Sequence, residues 1–288
     1  MERMRIMDNR SYLIGQYEKS MPNSLSIKDK LLISKELGFD YLELSIDETD
    51  EKLQRLDWTE EEIAELYNYM NSIDYYIKSI CLSGHRKYPF GSHDENVRKK
   101  SLIIMEKAIV LASKLGVRNI QLAGYDVYYE ESDESTINNF LSGLKVACNL
   151  ASKYGVMLGF ETMETPFMDT VEKSMKYVNE IKSPYLNVYP DTGNLTNASK
   201  LYKHDVIDDI LKGRGHIIAA HLKETKPGVY RDMDFFTGHV DFKTAIEKYK
   251  ELGVNMYVLE FWKKDDNWKE IAAKSIKDFR ELFKRIYS

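Results

Sequence analysis

One kind of joint recurs along this chain: a segment with helical periodicity ends at a glycine, and an apolar segment follows at once. It occurs at Gly38, Gly116, Gly155 and Gly253. Glycine readily adopts the left-handed conformation that ends many helices, and the chain can then turn directly into a strand. Repeated joints of this kind indicate parallel strands that are connected by helices. The sequence therefore predicts an α/β fold with a parallel sheet.

Eight apolar segments of strand length emerge when the sequence is read outward from these joints. They lie near residues 12–16, 40–45, 76–82, 118–123, 157–161, 186–190, 217–222 and 257–260. Apolar residues at helical spacing lie between them, at 59–73, 94–115, 135–153, 170–181, 241–252 and 268–287. Ser92 with Glu95, and Thr59 with Glu62, have the spacing of a capping box at a helix start.

Eight strands that alternate with helices predict a (β/α)8 TIM barrel, an architecture that commonly fills a chain of about this length of 288 residues. We expect a single domain over residues 1–288, with residues 1–11 as a short N-terminal extension. A doubly wound open sheet is the alternative, but no G-x-G-x-x-G motif follows an early strand. The predicted loops after strands, at 84–92, 124–132 and 224–238, are longer than those after helices. In a TIM barrel those loops carry the chemistry.

Four of the predicted strands end in a residue that can bind a metal ion: Glu161, Asp191, His221 and Glu260. Their intervals of 30, 30 and 39 residues are about the length of one strand and helix unit. Because the carboxyl ends of barrel strands meet at one mouth, these side chains are expected to converge. Three carboxylates and one imidazole suit a divalent ion such as Zn, Mn, Co or Mg. The two glutamates would also be placed to exchange protons with a substrate.

Each of these residues also has an ordinary structural interpretation. An acidic residue at a strand end often caps the next helix, and Asp191 could hydrogen-bond the turn that it begins. A separate explanation of this kind would be needed for each of the four residues, so their joint occurrence favours the metal site. Trp262, which follows Glu260 closely, is interpreted as a packing residue.

Polar residues in the predicted loops are candidates for binding an anionic substrate. His85 and Arg86 follow the third strand, and Lys223 and Lys226 follow the seventh. Packing or capping explains His85 equally well, and a solvated loop explains the two lysines. The predicted substrate-binding set also contains Gln121 and Asn194, and Glu43 and Glu164 are further polar residues that could reach the mouth.

Charge and cysteine content restrict the expected partners and compartment. The net charge of −5 disfavours nucleic-acid binding, whereas a small anionic substrate needs only a local basic pocket. The first eleven residues lack an apolar stretch of signal-peptide length, and no segment approaches membrane-spanning length. Cys81 and Cys148 lack the spacing of a disulfide or zinc framework. We therefore expect a cytoplasmic protein with no membrane partner.

Several segments resemble those of bacterial L-ribulose-5-phosphate (L-xylulose-5-phosphate) 3-epimerases. They are YLELSIDETDEKLQRLDW, CLSGHRKYPFGS, IQLAGYDVYYEE, YPDTGNL, HLKETKPGVY and LEFW, and the similarity runs from about Leu13 to the last helix. The wider group is the sugar-phosphate isomerase/epimerase superfamily, whose members bind metal through Glu, Asp, His and Glu at the ends of strands five to eight. The resemblance assigns these roles to Glu161, Asp191, His221 and Glu260.

The resemblance implies inversion at C3 of a small phosphorylated ketopentose through an enediolate, with Glu161 and Glu260 as the proton carriers. Asn194 stands where epimerases of free sugars commonly have His, so their substrate contacts are not carried over. The chain has only six His, too few for the three-metal set of endonuclease IV, and a single metal ion is implied. A homodimer is also expected.

Three other functions remain open at this point. An aldose–ketose isomerase for ketose phosphates or hydroxypyruvate would use the same metal and the same enediolate. A non-catalytic sugar-binding barrel would leave the four ligands idle. An endonuclease IV-like enzyme is disfavoured by the acidic balance of the chain.

Overall fold

A computed structural model describes residues 10–262 and 267–288, in which eight parallel strands form one sheet. The strands are β1 (Leu13–Tyr17), β2 (Tyr41–Ile46), β3 (Ile77–Leu82), β4 (Asn119–Leu122), β5 (Met157–Glu161), β6 (Leu186–Tyr189), β7 (Ala220–Leu222) and β8 (Met256–Leu259). Their order in the sheet is β6-β5-β4-β3-β2-β1-β8-β7. Parallel bridges from Val188 to Ile217 and from Asp191 to His221 join β6 to the β7 segment. The predicted TIM barrel is confirmed.

Helices connect the strands and pack around the sheet. They are α1 (Ile27–Leu37), α2 (Asp50–Leu53), α3 (Glu60–Ile73), α4 (Glu95–Leu115), α5 (Glu134–Tyr154), α6 (Val171–Ile181), α7 (Thr192–Tyr202), α8 (Val206–Lys212), α9 (Phe242–Glu251) and α10 (Trp268–Tyr287). The six predicted helices agree with these bounds to within one residue, whereas α2, α7 and α8 were not predicted, and α1 was indicated only by the joint at Gly38. No helix in the described ranges is long and apolar enough to cross a membrane.

The glycine joints form as predicted. Gly38, Gly116, Gly155 and Gly253 have φ of 95°, 75°, 64° and 80°, in the left-handed region that other residues rarely adopt. A Cβ atom at Gly38, Gly116 or Gly253 would meet no atom within 4 Å. Backbone conformation therefore favours glycine at these three positions, whereas lack of space does not.

Of the two predicted capping boxes, one is confirmed and the other is wrong. Thr59 and Glu62 bond reciprocally at the start of α3, with Thr59 N donating to Glu62 Oε2 over 2.8 Å. The box from Ser92 to Glu95 is wrong, because α4 begins at Glu95 and Asp94 is its cap. The Asp94 carboxylate accepts from Asn96 N over 2.7 Å.

Side chains of the strands alternate between two environments. In β2, Leu42, Leu44 and Ile46 belong to the main core against the helices, whereas Tyr41 packs in a separate buried cluster. Glu43 lies on the same side of the strand as Tyr41, since successive side chains point to opposite faces. The barrel interior therefore contains a polar side chain at the position of Glu43.

The first nine residues of the predicted N-terminal extension lie outside the described ranges. Its last two, Arg10 and Ser11, are exposed.

Candidate active site

The four predicted metal ligands lie together at the carboxyl end of the barrel. Glu161 ends β5, Asp191 follows β6, His221 lies in β7 and Glu260 follows β8. One ligand atom from each lies within 4.8 Å of the others, and all four side chains are buried. This cluster has the donor set and the compactness of a site for a single small cation.

Asp191 combines the two interpretations that the sequence left open. Its Oδ1 accepts a hydrogen bond of 2.7 Å from Asn194 N and so caps α7. Its Oδ2 accepts no hydrogen bond of acceptable geometry, although Lys223 Nζ lies 3.0 Å away. One oxygen therefore serves the helix, and the other remains for a cation.

The two ring nitrogens of His221 face different carboxylates. Its Nε2 lies 2.6 Å from Glu43 Oε1, on the barrel side. Its Nδ1 lies 3.1 Å from Glu260 Oε2 and 3.6 Å from Glu161 Oε1. Burial alone would lower the pKa of His221, but the surrounding carboxylates, Glu43 first, raise it well above its usual value.

The electrostatics of the cluster indicate a need for positive charge. Burial is the main cause that raises the pKa of Asp191, to about 7, and the neighbouring Glu260 carboxylate adds to this. Burial would also raise the pKa of Glu260, but Lys223 and His221 outweigh it and lower that pKa. Glu260 Oε2, like Asp191 Oδ2, accepts no well-formed hydrogen bond. Three buried carboxylates, two of which have an oxygen that accepts no hydrogen bond, fit a divalent cation, which would satisfy both the charge and the lone pairs.

The cluster opens into a cavity at the barrel mouth. Glu161 and Glu260 reach it, and its wall also carries four cations, namely Lys19, Arg86, Lys223 and Arg231. The cavity therefore offers carboxylates at its floor and positive charge on its sides. This arrangement suits a small polar molecule with an anionic group.

The structure separates the predicted substrate-binding residues into two groups, of which the first lies away from the cavity wall. His85 Nε2 lies 3.1 Å from Ser101 O, its ring packs 4.5 Å from that of Phe90, and burial lowers its pKa to about 4. Asn194 Nδ2 donates to Thr162 O over 2.7 Å. Lys226 is exposed, and its backbone pairs with that of Val229. These three have local partners and do not line the cavity.

The second group lies at the site. Arg86 lines the cavity, and its guanidinium lies 4.8 Å from the centroid of the Tyr128 ring. Lys223 also lines it, but is paired with Asp191 and, at 3.6 Å, with Glu260. Gln121 Nε2 lies 3.1 Å from both ring nitrogens of His221, and Gln121 does not itself line the cavity.

Several residues of the cavity wall were not predicted from the sequence. Tyr17 ends β1 and Lys19 lies two residues after it, so the rule applied to strands five to eight would have found them if it had been extended to strand one. Arg231 lies in the long loop after β7, which was expected to carry chemistry, but nothing in the sequence distinguishes it from the other residues of that loop. Trp262 also lines the cavity, with its ring 5.8 Å from Lys223 Nζ and 5.5 Å from the Arg231 guanidinium, so its interpretation as a packing residue is incomplete.

Comparisons with known proteins agree with this site. Residues 31–282 match the family described as xylose isomerase-like TIM barrel. The chain is 42% identical over 250 residues to the L-ribulose-5-phosphate 3-epimerase UlaE of Shigella boydii serotype 18, covering 86% of this chain and 87% of that protein.

Solved structures show the same fold at low identity. A D-tagatose 3-epimerase-like protein has a TM-score of 0.78 at 20% identity, covering 95% of this chain and 98% of its own. D-psicose 3-epimerase from Clostridium cellulolyticum H10 has a TM-score of 0.79 at 15% identity, covering 94% and 99%. The chain belongs to the xylose isomerase-like TIM-barrel family and, within it, to the L-ribulose-5-phosphate 3-epimerases.

Proposed function

We propose that this protein is an epimerase that interconverts L-ribulose 5-phosphate and L-xylulose 5-phosphate. The observation that carries the proposal is the pair Glu161 and Glu260, two buried carboxylates that line one cavity and flank His221 from two different strands. The 42% identity to a named L-ribulose-5-phosphate 3-epimerase supports the substrate class.

Inversion at C3 of a 2-ketose removes the proton beside the carbonyl and returns one to the opposite face. Two acid–base groups on opposite faces of the planar enediolate perform this without turning the substrate over. Glu161 ends β5 and Glu260 follows β8, and we assign one face of the enediolate to each. General acid–base catalysis of this kind contributes about 10²–10⁴ in rate. The glutamate that abstracts the proton becomes neutral, and the opposite one donates its own.

We also propose that one divalent ion, Zn, Mn, Co or Mg, is held by Glu161, Asp191, His221 and Glu260. When bound, it supplies Lewis acidity that stabilises the negative charge developing on the substrate oxygens. A glutamate that both binds metal and carries a proton needs one free oxygen. Each of the two is therefore expected to offer a single oxygen to the ion.

The phosphate group needs basic donors further up the cavity wall. Lys223 is engaged by Asp191 and Glu260, which leaves Arg86, Lys19 and Arg231 as better candidates. Lys19 and Arg231 have carboxylate partners in Asp47 and Glu164, whereas Arg86 Nε has no hydrogen-bond partner within the described part of the chain. Arginine also matches the geometry of phosphate oxygens. We therefore favour Arg86 as a phosphate contact.

Two further expectations extend this proposal. Cys81 and Cys148 are free and buried, which supports a reducing compartment, the cytoplasm. A homodimer is testable by the mass of the protein in solution.

The decisive assay is incubation with each pentulose phosphate in deuterated water, followed by NMR. We expect interconversion of the two C3 epimers with deuterium at C3, and its loss after chelation of the metal. Label at C1 with aldose formation would identify an aldose–ketose isomerase instead. Failure to convert either pentulose phosphate in the presence of metal would reject the proposal.

A further inference from the structure

Glu43 makes contacts that the proposed reaction does not explain. It lies in β2, is fully buried, and is surrounded by barrel residues rather than by the cavity. Both of its carboxylate oxygens are engaged. Oε1 lies 2.6 Å from His221 Nε2, and Oε2 accepts from Ser79 Oγ over 2.7 Å and from Tyr189 Oη over 2.9 Å.

We propose that Glu43 is a positioning residue, which fixes the tautomer and the ring orientation of His221 so that Nδ1 is presented to the metal ion. The inference rests on the metal site of the proposed function. It assigns to Glu43 no contact with the substrate.

The hydrogen-bond chemistry of the contact determines which ring nitrogen carries the proton. An ionised carboxylate accepts hydrogen bonds and does not donate them, so His221 Nε2 is the donor to Glu43. The neutral ring then has its lone pair on Nδ1, the atom that faces Glu161 and Glu260. A metal ligand must present a lone pair, and Nδ1 is on the side of the other three ligands.

The surroundings of Glu43 are built to hold it in this orientation. A buried charge is costly unless it is paired and hydrogen-bonded. Three side chains contact the Glu43 carboxylate, and each comes from a different strand: Ser79 from β3, Tyr189 from β6 and His221 from β7. The Tyr189 ring also packs edge-on against the His221 ring at 5.2 Å. The imidazole therefore has little freedom to rotate.

This arrangement has two consequences for the metal ion. A fixed ring does not have to be ordered when the ion binds, and a carboxylate on the distal nitrogen makes the imidazole a better donor. Loss of such a partner typically weakens metal binding about 10- to 100-fold. A residue that only fills the barrel interior would affect stability without this selective effect on the metal.

The test compares Glu43→Gln with Ser79→Ala as a matched control. Gln keeps the size of the side chain but removes its charge, whereas Ser79→Ala removes one donor to Oε2 and leaves the contact of Oε1 with His221 in place. The dissociation constant of zinc is measured by competition with a chelator, and thermal unfolding is followed in the metal-free state. We expect about 10- to 100-fold weaker zinc binding in Glu43→Gln and a much smaller loss in Ser79→Ala. Equal zinc affinity of wild type and Glu43→Gln would overturn the inference.

A second measurement uses the wild-type protein and does not depend on the folding of a variant. In the zinc-loaded protein, ¹⁵N NMR of the imidazole groups should show His221 with a proton on Nε2 and none on Nδ1. A proton on Nδ1 would overturn the inference, even if the enzyme is an active epimerase. Absence of zinc binding by the wild type would overturn both the inference and the proposed metal site, so the two failures are distinguishable.

Discussion

Replacement of Glu18 by Gln is expected to destabilise the protein strongly. Glu18 follows β1 and is fully buried, with Lys30, Lys52 and Arg55 around its carboxylate. Its Oε1 lies 2.9 Å from Lys30 Nζ and 2.7 Å from Lys52 Nζ, and Arg55 contacts both oxygens. Ser45 N donates to Oε2 over 2.8 Å. Neutral Gln would leave three buried cations without a counter-charge.

The magnitude follows from the burial of these groups. Removing one partner of a buried ion pair costs about 3–5 kcal/mol, because the other charge remains buried and unpaired. Burial already lowers the pKa of Lys30, so this residue can lose its proton and reduce part of the cost. We therefore expect a loss of about 3–5 kcal/mol in the free energy of unfolding rather than a multiple of it.

The charges around Glu18 also predict how the stability of the protein changes at acidic pH. Burial would raise the pKa of Glu18, but Arg55, Lys30 and Lys52 outweigh it and lower that pKa far below its usual value. A depressed pKa contributes stability above the unfolded value of about 4.3, and this contribution is lost as the pH falls from there toward the folded value. Wild-type protein should thus lose stability below that pH, and Glu18→Gln should lack this component.

Urea unfolding of the two proteins at neutral and acidic pH measures both effects. Glu65→Gln is the matched control, because Glu65 is an exposed glutamate paired with Lys28. The unfolding free energy of the Glu65→Gln variant should match that of the wild type within error. If Glu18→Gln were within about 1 kcal/mol of wild type at neutral pH, the view of this cluster as a buried, mutually dependent ion network would be wrong.

Three further predictions concern the site. Asp191→Asn and His221→Gln should each lose metal and epimerase activity together while the barrel remains folded, as metal analysis and circular dichroism would show; stoichiometric metal in both variants would contradict the site. Because the pKa of Asp191 is raised to about 7, protons should compete with metal, and the affinity should fall as the pH falls through neutrality; chelator competition at several pH values measures this, and a pH-independent affinity would contradict it. Arg86→Ala should raise KM for phosphorylated substrate roughly tenfold or more, as expected for loss of a charged hydrogen bond of about 1.5–3 kcal/mol. It should have little effect on the free pentulose, with exposed Lys226→Ala as the control, and equal effects on both substrates would exclude Arg86 as a phosphate contact.

The positions of the candidate ligands could be predicted from sequence because residues one strand and helix unit apart in the chain lie on neighbouring strands of a barrel. Each candidate ligand lies at or near the carboxyl end of an apolar strand, and consecutive parallel strands are neighbours at one mouth. The glycine joints were equally predictable, since a left-handed residue after a helix is a local requirement. No long-range information was needed for either.

The directions of loop side chains could not be predicted in the same way. His85 and Arg86 are adjacent in the chain, yet His85 packs against Phe90 while Arg86 lines the cavity. Arg231 reaches the cavity from a long loop whose path is set by tertiary contacts. Sequence spacing carries little information about such contacts.

Helix α7 was not predicted because of one residue, Gly193. Glycine soon after a strand commonly marks a tight turn, but Gly193 lies in the first turn of the helix. A Cβ atom there would lie 2.7 Å from Lys223 O, so close packing against the loop after β7 requires glycine. A glycine required by space and a glycine required by φ look the same in a sequence.

The central claim is that Glu161 and Glu260 act on opposite faces of the substrate. It is tested by proton exchange in Glu161→Gln and Glu260→Gln, with each pure epimer in deuterated buffer and metal occupancy verified. Epimerisation should collapse in both variants, since inversion needs both groups. The remaining glutamate should still exchange the C3 proton of the epimer that faces it, so the two variants should label opposite epimers. The same epimer labelled by both variants would show that one base serves both faces, and the assignment of two opposed glutamates would be wrong.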